Sequence, residues 1–149
     1  MMVTISINWR AVLSDAVRMV TYHHAGQKDL AGKPYAEHVF RVAGKVELPQ
    51  EKVVALLHDI LEDTDVTEEL LRRLFPEEIA DAVKLLTRYE DESYSTYISR
   101  VADHPIARRV KIADLKDNLD PTRLRIERQV DRDRVAKYRK ALARLEMLE

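Results

Sequence analysis

Residues 53–64, VVALLHDILEDT, begin as an apolar helix and end on four ionisable side chains: His58, Asp59, Glu62 and Asp63. Such groups are expensive to bury unless they are paired or bound to a metal. The stretch therefore reads as a core helix that carries a polar site at its C-terminal end, and the rest of the chain must supply what that site needs.

The chain has 149 residues, the size of one ordinary domain spanning residues 1–149. A chain of that length buries about two thirds of its unfolded surface, enough for a real core. With only 3 Gly and 5 Pro against 46% hydrophobic and 34% charged residues, there is little turn material. That balance favours an all-α fold of helices joined by short loops. Cysteine is absent, which rules out disulfides and thiolate metal sites, so any metal must take nitrogen and oxygen ligands. The N-terminal MMVTISINWRAVL lacks the charged start and long apolar stretch of a signal peptide. No run approaches the ~18 apolar residues of a membrane helix. A soluble, cytoplasmic protein with no membrane partner is the expectation. Residues 123–149 carry nine Lys/Arg against five Asp/Glu, leaving 16 and 21 to the acidic remainder. Neither part looks like a nucleic-acid surface, and the basic tail reads as the solvated side of a helix, with a phosphate-facing role as the lesser alternative.

Periodicity predicts about eight helices. Trp9, Leu13, Val17 and Val20 share a stripe with His24. After Gly-x-Pro, Pro34 suits a first helical position, and Tyr35, His38, Val42 and Val46 share a face until Pro49. QEKVVALLHDILEDTD reads as one helix. TEELLRRLF, PEEIADAVKLLTR, YSTYISRVADH and PIARRVKIADLKDNLDP follow, the last two divided by Pro105, and Val135, Tyr138, Leu142 and Leu145 mark a final helix. There is no strand alternation and no repeat.

His58 and Asp59 form an adjacent nitrogen–oxygen pair able to converge on one ion. His38, among Val39, Val42 and Val46, sits on a helix positioned to point inward at that pair. Asp114 is stranded among Val110, Ile112, Ala113 and Leu115. Four ligands from three helices would close a site at the centre of a bundle, with water at the open positions. Glu62, four residues after His58 and three after Asp59, falls on the same helix face, within reach of the ion through one water.

The His…His-Asp…Asp arrangement resembles the HD superfamily of metal-dependent phosphohydrolases, and within it the hydrolase domain of the RelA/SpoT alarmone enzymes. The matching stretches are HAGQ at 24–27, GKPYAEH at 32–38, ALLHDILEDT at 55–64 and VKIAD…N at 110–118. The resemblance implies an HD helical bundle, one manganese ion held by His38, His58, Asp59 and Asp114, and Glu62 and Asp63 as the pair that handles the attacking water and proton transfer. Asn118 matches a substrate-contacting position, although it would equally cap its helix before Pro121. Lys28, in the loop before His38, and Tyr97 and Arg100, which share a helix face, are further substrate-binding candidates. His24 reads as a hydrogen-bonded core residue or a pocket wall, and His23 and His104 as surface or structural. Lys111 and Asp114 could also be a plain ion pair.

Two departures bear on substrate. Alarmone hydrolases usually show Arg-Lys before Gly-x-Pro-Tyr and Ala-Asp-Arg-Leu-His-Asn after the last ligand, where this chain has QKDLAGKPY and ADLKDN. Lys28 alone remains in the loop, and Leu115 and Asp117 stand where Arg and His are usual. The metal chemistry thus carries over better than guanine recognition. The expected reaction is hydrolysis of a small-molecule nucleotide, foremost guanosine 3′,5′-bis(diphosphate) at its 3′-pyrophosphate, as in the small stand-alone hydrolases. Alternatives are a phosphatase of the same fold acting on the 2′-phosphate of NADPH or on a nucleoside monophosphate, and a catalytically silent binding module. Intact Glu62 and Asp63 argue against the last. A homo-oligomer is compatible with the sequence.

Overall fold

The structure, a computed structural model, describes residues 6–149; residues 1–5, part of the N-terminal stretch read above for a signal peptide, lie outside them. The helices are α1 (Trp9–His23), α2 (Tyr35–Gly44), α3 (Pro49–Leu57), α4 (Ile60–Asp63), α5 (Glu68–Leu74), α6 (Glu77–Leu86), α7 (Tyr94–Ala102), α8 (Pro105–Asn118) and α9 (Gln129–Glu146). Their starts follow from local chemistry. Asn8, Thr67 and Ser93 accept from the backbone N–H three residues on, the bond that satisfies an orphan donor at a helix N-terminus. The His104 ring does the same for Ala107 at 3.2 Å, so this histidine is structural. Pro49 and Pro105 open their helices, whereas Pro34 stands one position earlier than expected, at the N-cap.

α3 is the central element. Val53, Val54, Ala55, Leu56 and Leu57 are buried in succession, and the helix packs against α1, α2, α6 and α8. A helix apolar all round has to be enclosed in this way. α8 crosses it carrying Val110, Ile112, Ala113 and Leu115 into the core, with Asp114 and Asp117 buried among them. α9 covers α7 and α8, seating Val135, Ala141 and Leu145.

The single helix expected from residue 50 to 65 is broken. α3 stops at Leu57, His58 and Asp59 form a turn, and α4 is one turn long. The His58 Nδ1 donates to the Ala55 carbonyl at 2.6 Å, taking the acceptor that the Asp59 N–H would use in an uninterrupted helix. This bend turns the His-Asp pair out of the helix ladder and toward α2 and α8. Among the described residues, no helix is long and apolar enough to cross a membrane.

Leu57 is fully enclosed one residue before the bend. Leu57→Ala should lower unfolding stability by about 2–5 kcal/mol, read from chemical denaturation at fixed metal concentration. A loss under about 1 kcal/mol would show that α3 is not the core of the bundle.

Candidate metal centre

Four sequence-predicted residues meet where α2, the α3–α4 turn and α8 approach. His38, His58 and Asp114 are buried and offer ligand atoms within 4.8 Å of one another. Asp114 Oδ1 lies 2.9 Å from His38 Nε2 and 3.3 Å from His58 Nε2. Asp59 Oδ2 lies 3.1 Å from His58 Nε2 and accepts from the Tyr35 hydroxyl. Burial and then the Asp59 charge raise the Tyr35 phenol, so it remains a donor.

The hydrogen bonds around the two imidazoles fix which nitrogen faces the cluster. His58 Nδ1 is committed to Ala55, and the buried His58 Nε2 finds no hydrogen-bond partner among the described residues. His38 Nδ1 lies 2.6 Å from Asp117 Oδ2, which leaves Nε2 toward Asp114. Both inward nitrogens thus face carboxylate oxygens, His38 Nε2 toward Asp114 and His58 Nε2 toward Asp59 and Asp114. Burial presses both imidazoles toward neutrality, yet Asp114 with Asp117 raise His38, and Asp59 with Asp114 raise His58. Burial also opposes ionisation of Asp114, but Lys111 and His58 hold it well below the usual carboxylate range. A donor set of two imidazoles and two carboxylates fits a divalent ion such as manganese.

Asp117 is the residue that sequence reasoning missed. It is buried, and besides His38 it receives Arg41 Nε at 3.0 Å and Arg123 Nη2 at 2.9 Å. Burial pushes its carboxyl up, but the His38 bond and Arg41 bring it to about 2. A carboxylate that orients a ligand histidine strengthens the ligand's hold on a metal. The departure from the alarmone pattern at 117 therefore falls behind His38, a candidate metal ligand, and its sequence signal is an acid one turn from Asp114 in an apolar helix.

Glu62 and Asp63 sit in α4, beside the cluster. Burial raises both carboxyls, and the Asp59 charge adds to this; for Glu62 the Arg88 N–H, 2.5 Å from Oε1, works the other way. His24 accounts for HAGQ: its Nδ1 lies 2.7 Å from Gln27 Oε1, and Gln27 Nε2 donates to the Asp63 carbonyl at 2.8 Å. The motif thus fastens the end of α1 to the turn that carries Glu62 and Asp63.

Next to His38 opens a cleft of about 430 Å³ lined by Lys28, Leu30, Ala31, Tyr35 and Asn118, and on its far wall by Arg123, Arg125, Arg128, Arg134 and Tyr138. Lys28 and Asn118 are thus brought to the site; Asn118 also donates to Asp114 Oδ1 at 3.2 Å. The loop between them is shaped by Asp29, which accepts from Ala31 and Lys33, and by Gly32 at φ +80, a conformation that favours glycine. The basic tail is not merely a solvated face, because its arginines wall this cleft. Tyr97 and Arg100 do not line it. The Tyr97 hydroxyl donates to the Leu86 carbonyl, and Arg100 grips Glu92 at 2.6 and 2.7 Å, so both serve the 86–92 connection.

An HD domain model matches residues 16–143 of the chain. The chain belongs to the HD-domain family. It is 34% identical over 126 residues to a guanosine-3′,5′-bis(diphosphate) 3′-pyrophosphohydrolase of Aquifex aeolicus, covering 76% of this chain and 18% of that protein. A probable enzyme of the same name from Synechocystis is 35% identical over 98 residues, covering 63% and 13%. This HD chain thus spans less than a fifth of the length of these curated relatives. Its fold matches the solved structure of a metazoan SpoT ortholog that hydrolyses ppGpp, with a TM-score of 0.76 at 24% identity over 96% of this chain and 88% of that one.

Metal analysis tests the cluster. Asp59→Ala and Asp114→Ala should lose bound manganese, and Asp117→Asn should weaken it by about 10–100-fold. Unchanged affinity in all three would exclude this ligand set.

Proposed function

We infer that the domain is a manganese-dependent hydrolase of guanosine 3′,5′-bis(diphosphate) that releases pyrophosphate from the 3′ position. The observation that carries this reading is the buried His58 Nε2, without a hydrogen-bond partner among the described residues, set among His38, Asp59 and Asp114 with Glu62 and Asp63 one turn away. The named activity of the Aquifex relative and the arginines that line the cleft, interleaved with Asp29, Glu127 and Asp131, support it. These four residues would hold a divalent ion, which would supply Lewis-acid charge to the attacked phosphoryl group and lower the pKa of a bound water.

The chain's own groups divide the remaining work. Glu62 is steadied as an anion by the Arg88 N–H at Oε1, which leaves Oε2 to accept the proton of the attacking water. Water adds to phosphorus, the bond to the ribose 3′ oxygen breaks, and that oxygen needs a proton. Asp63, raised by burial and by Asp59, is the nearby acid that returns one. Tyr35 and Asn118 orient Asp59 and Asp114, while Lys28 and the cleft arginines hold the remaining phosphates.

Incubating the manganese-loaded protein with guanosine 3′,5′-bis(diphosphate) and resolving products by ion exchange should yield guanosine 5′-diphosphate and pyrophosphate. Glu62→Gln should retain metal while turnover falls by at least ~10²-fold. No cleavage of the substrate, with orthophosphate released from NADPH or a nucleoside monophosphate, would replace this reading with a phosphatase one.

Base recognition should be weak. The cleft presents Leu30 and Ala31 where a guanine edge would need matched donors and acceptors. Guanosine and adenosine 3′-pyrophosphates should therefore differ in kcat/KM by no more than about tenfold. A preference for guanosine beyond about a hundredfold would show that another part of the cleft reads the base.

A further inference from the structure

The hydroxyl of Tyr94, the first residue of α7, is buried and has no hydrogen-bond partner among the described residues. Folded chains rarely leave such a group unpaired, and where one persists it marks a place for a ligand or an ordered water. Cations gather around it. The Arg88 guanidinium lies 5.5 Å from the Tyr94 ring centroid and the Lys137 ammonium 4.6 Å. Lys111 lies 5.3 Å from the centroid of Tyr97, whose ring is 5.8 Å from that of Tyr94. Tyr138, one of the cleft residues, stands 6.1 Å away.

Cations over aromatic faces are common on protein surfaces, and that attraction alone would explain each contact taken singly. It does not explain the crowding. Among the described residues Lys137 makes no ion pair or hydrogen bond, and the Arg88 side chain bonds only the Glu92 backbone carbonyl. Burial lowers the Lys137 ammonium, and Arg88, Arg134 and Lys111 push it the same way. Neither the Lys137 nor the Arg88 side chain forms an ion pair with a carboxylate among the described residues, and both stand beside an unused hydroxyl donor.

The position gives this corner its meaning. The Arg88 N–H holds Glu62, and Lys111 holds Asp114 at 2.9 Å, so single residues join the corner to the proton acceptor and to the metal cluster. Lys137 and Arg88 are exposed side chains, able to shift as a ligand approaches. We propose that Tyr94, Lys137 and Arg88 form a phosphoryl subsite for the terminal phosphate of a nucleotide whose reacting phosphorus lies at the metal cluster. The Tyr94 hydroxyl donates to one phosphoryl oxygen and the two cations neutralise the others. The subsite rests on the pyrophosphohydrolase reading for its ligand, which is either the distal phosphoryl of the 3′-pyrophosphate or that of the 5′-diphosphate.

Calorimetry on the full manganese-loaded chain separates these sources, with inorganic pyrophosphate as one probe and guanosine 5′-diphosphate as the other. For the 3′ source, Tyr94→Phe and Lys137→Met should each weaken pyrophosphate by about tenfold, the size of one charge-assisted hydrogen bond, while Lys137→Arg restores it. The same loss seen only with guanosine 5′-diphosphate assigns the subsite to the 5′ end. Because the Tyr94 hydroxyl has no partner to lose, Tyr94→Phe should leave the thermal midpoint unchanged or raised, whereas a structural hydroxyl would lower it. Affinities for both probes within about twofold of wild type in both variants would overturn the proposal, as would a wild-type chain that binds neither. A wild-type chain that binds pyrophosphate at this corner yet leaves guanosine 3′,5′-bis(diphosphate) intact would instead count against the reaction and leave the subsite standing.

Discussion

His38, His58, Asp59 and Asp114 meet where α2, α3 and α8 approach, a set of two imidazoles and two carboxylates that suits a divalent cation, with Ala55 and Asp117 fixing the outer ring nitrogens. The surrounding architecture serves that convergence. The bend at His58 exists because its ring takes the Ala55 carbonyl, and without the bend Asp59 would stay in the helix ladder. Asp117 is itself clamped by Arg41 and Arg123, so a run of charge-assisted bonds leads from the cleft wall through Asp117 to His38. Such bonds are shorter and stronger than neutral ones, which suits a role in holding a ligand ring at one angle.

The same economy of groups appears around the cleft. Tyr35 both lines it and donates to Asp59; Asn118 both lines it and donates to Asp114. Residues that line the cleft are thus tied to the cluster by one bond, so disorder on one side would be felt on the other. HAGQ works at longer range, holding the Asp63 carbonyl through Gln27 and so fixing the single turn that carries Glu62 and Asp63.

Much of this was legible in the chain. His58-Asp59 inside an apolar helix, His38 on an apolar face and Asp114 stranded among aliphatic residues are chemical misfits, and misfits in a core announce themselves. Prolines marked helix boundaries for similarly local reasons. The bend at His58 was not legible, because periodicity describes side-chain faces and says nothing of a ring that competes for a backbone carbonyl. Asp117 was hidden because its partner is 79 residues away. Tyr97 and Arg100 share a face as expected, but what that face meets, the Leu86 carbonyl and Glu92, is tertiary information. The arginines of the 123–134 segment looked like a solvated surface because composition cannot show which wall of which cleft they form.

Diffraction from crystals of the manganese-loaded protein, recorded at the manganese absorption edge, should show one anomalous peak per chain, coordinated by His38 Nε2, His58 Nε2, Asp59 and Asp114, with Asp117 still bonded to His38 Nδ1. Two peaks in the cluster, or a single peak ligated elsewhere while His58 Nε2 stays bare, would contradict this ligand set.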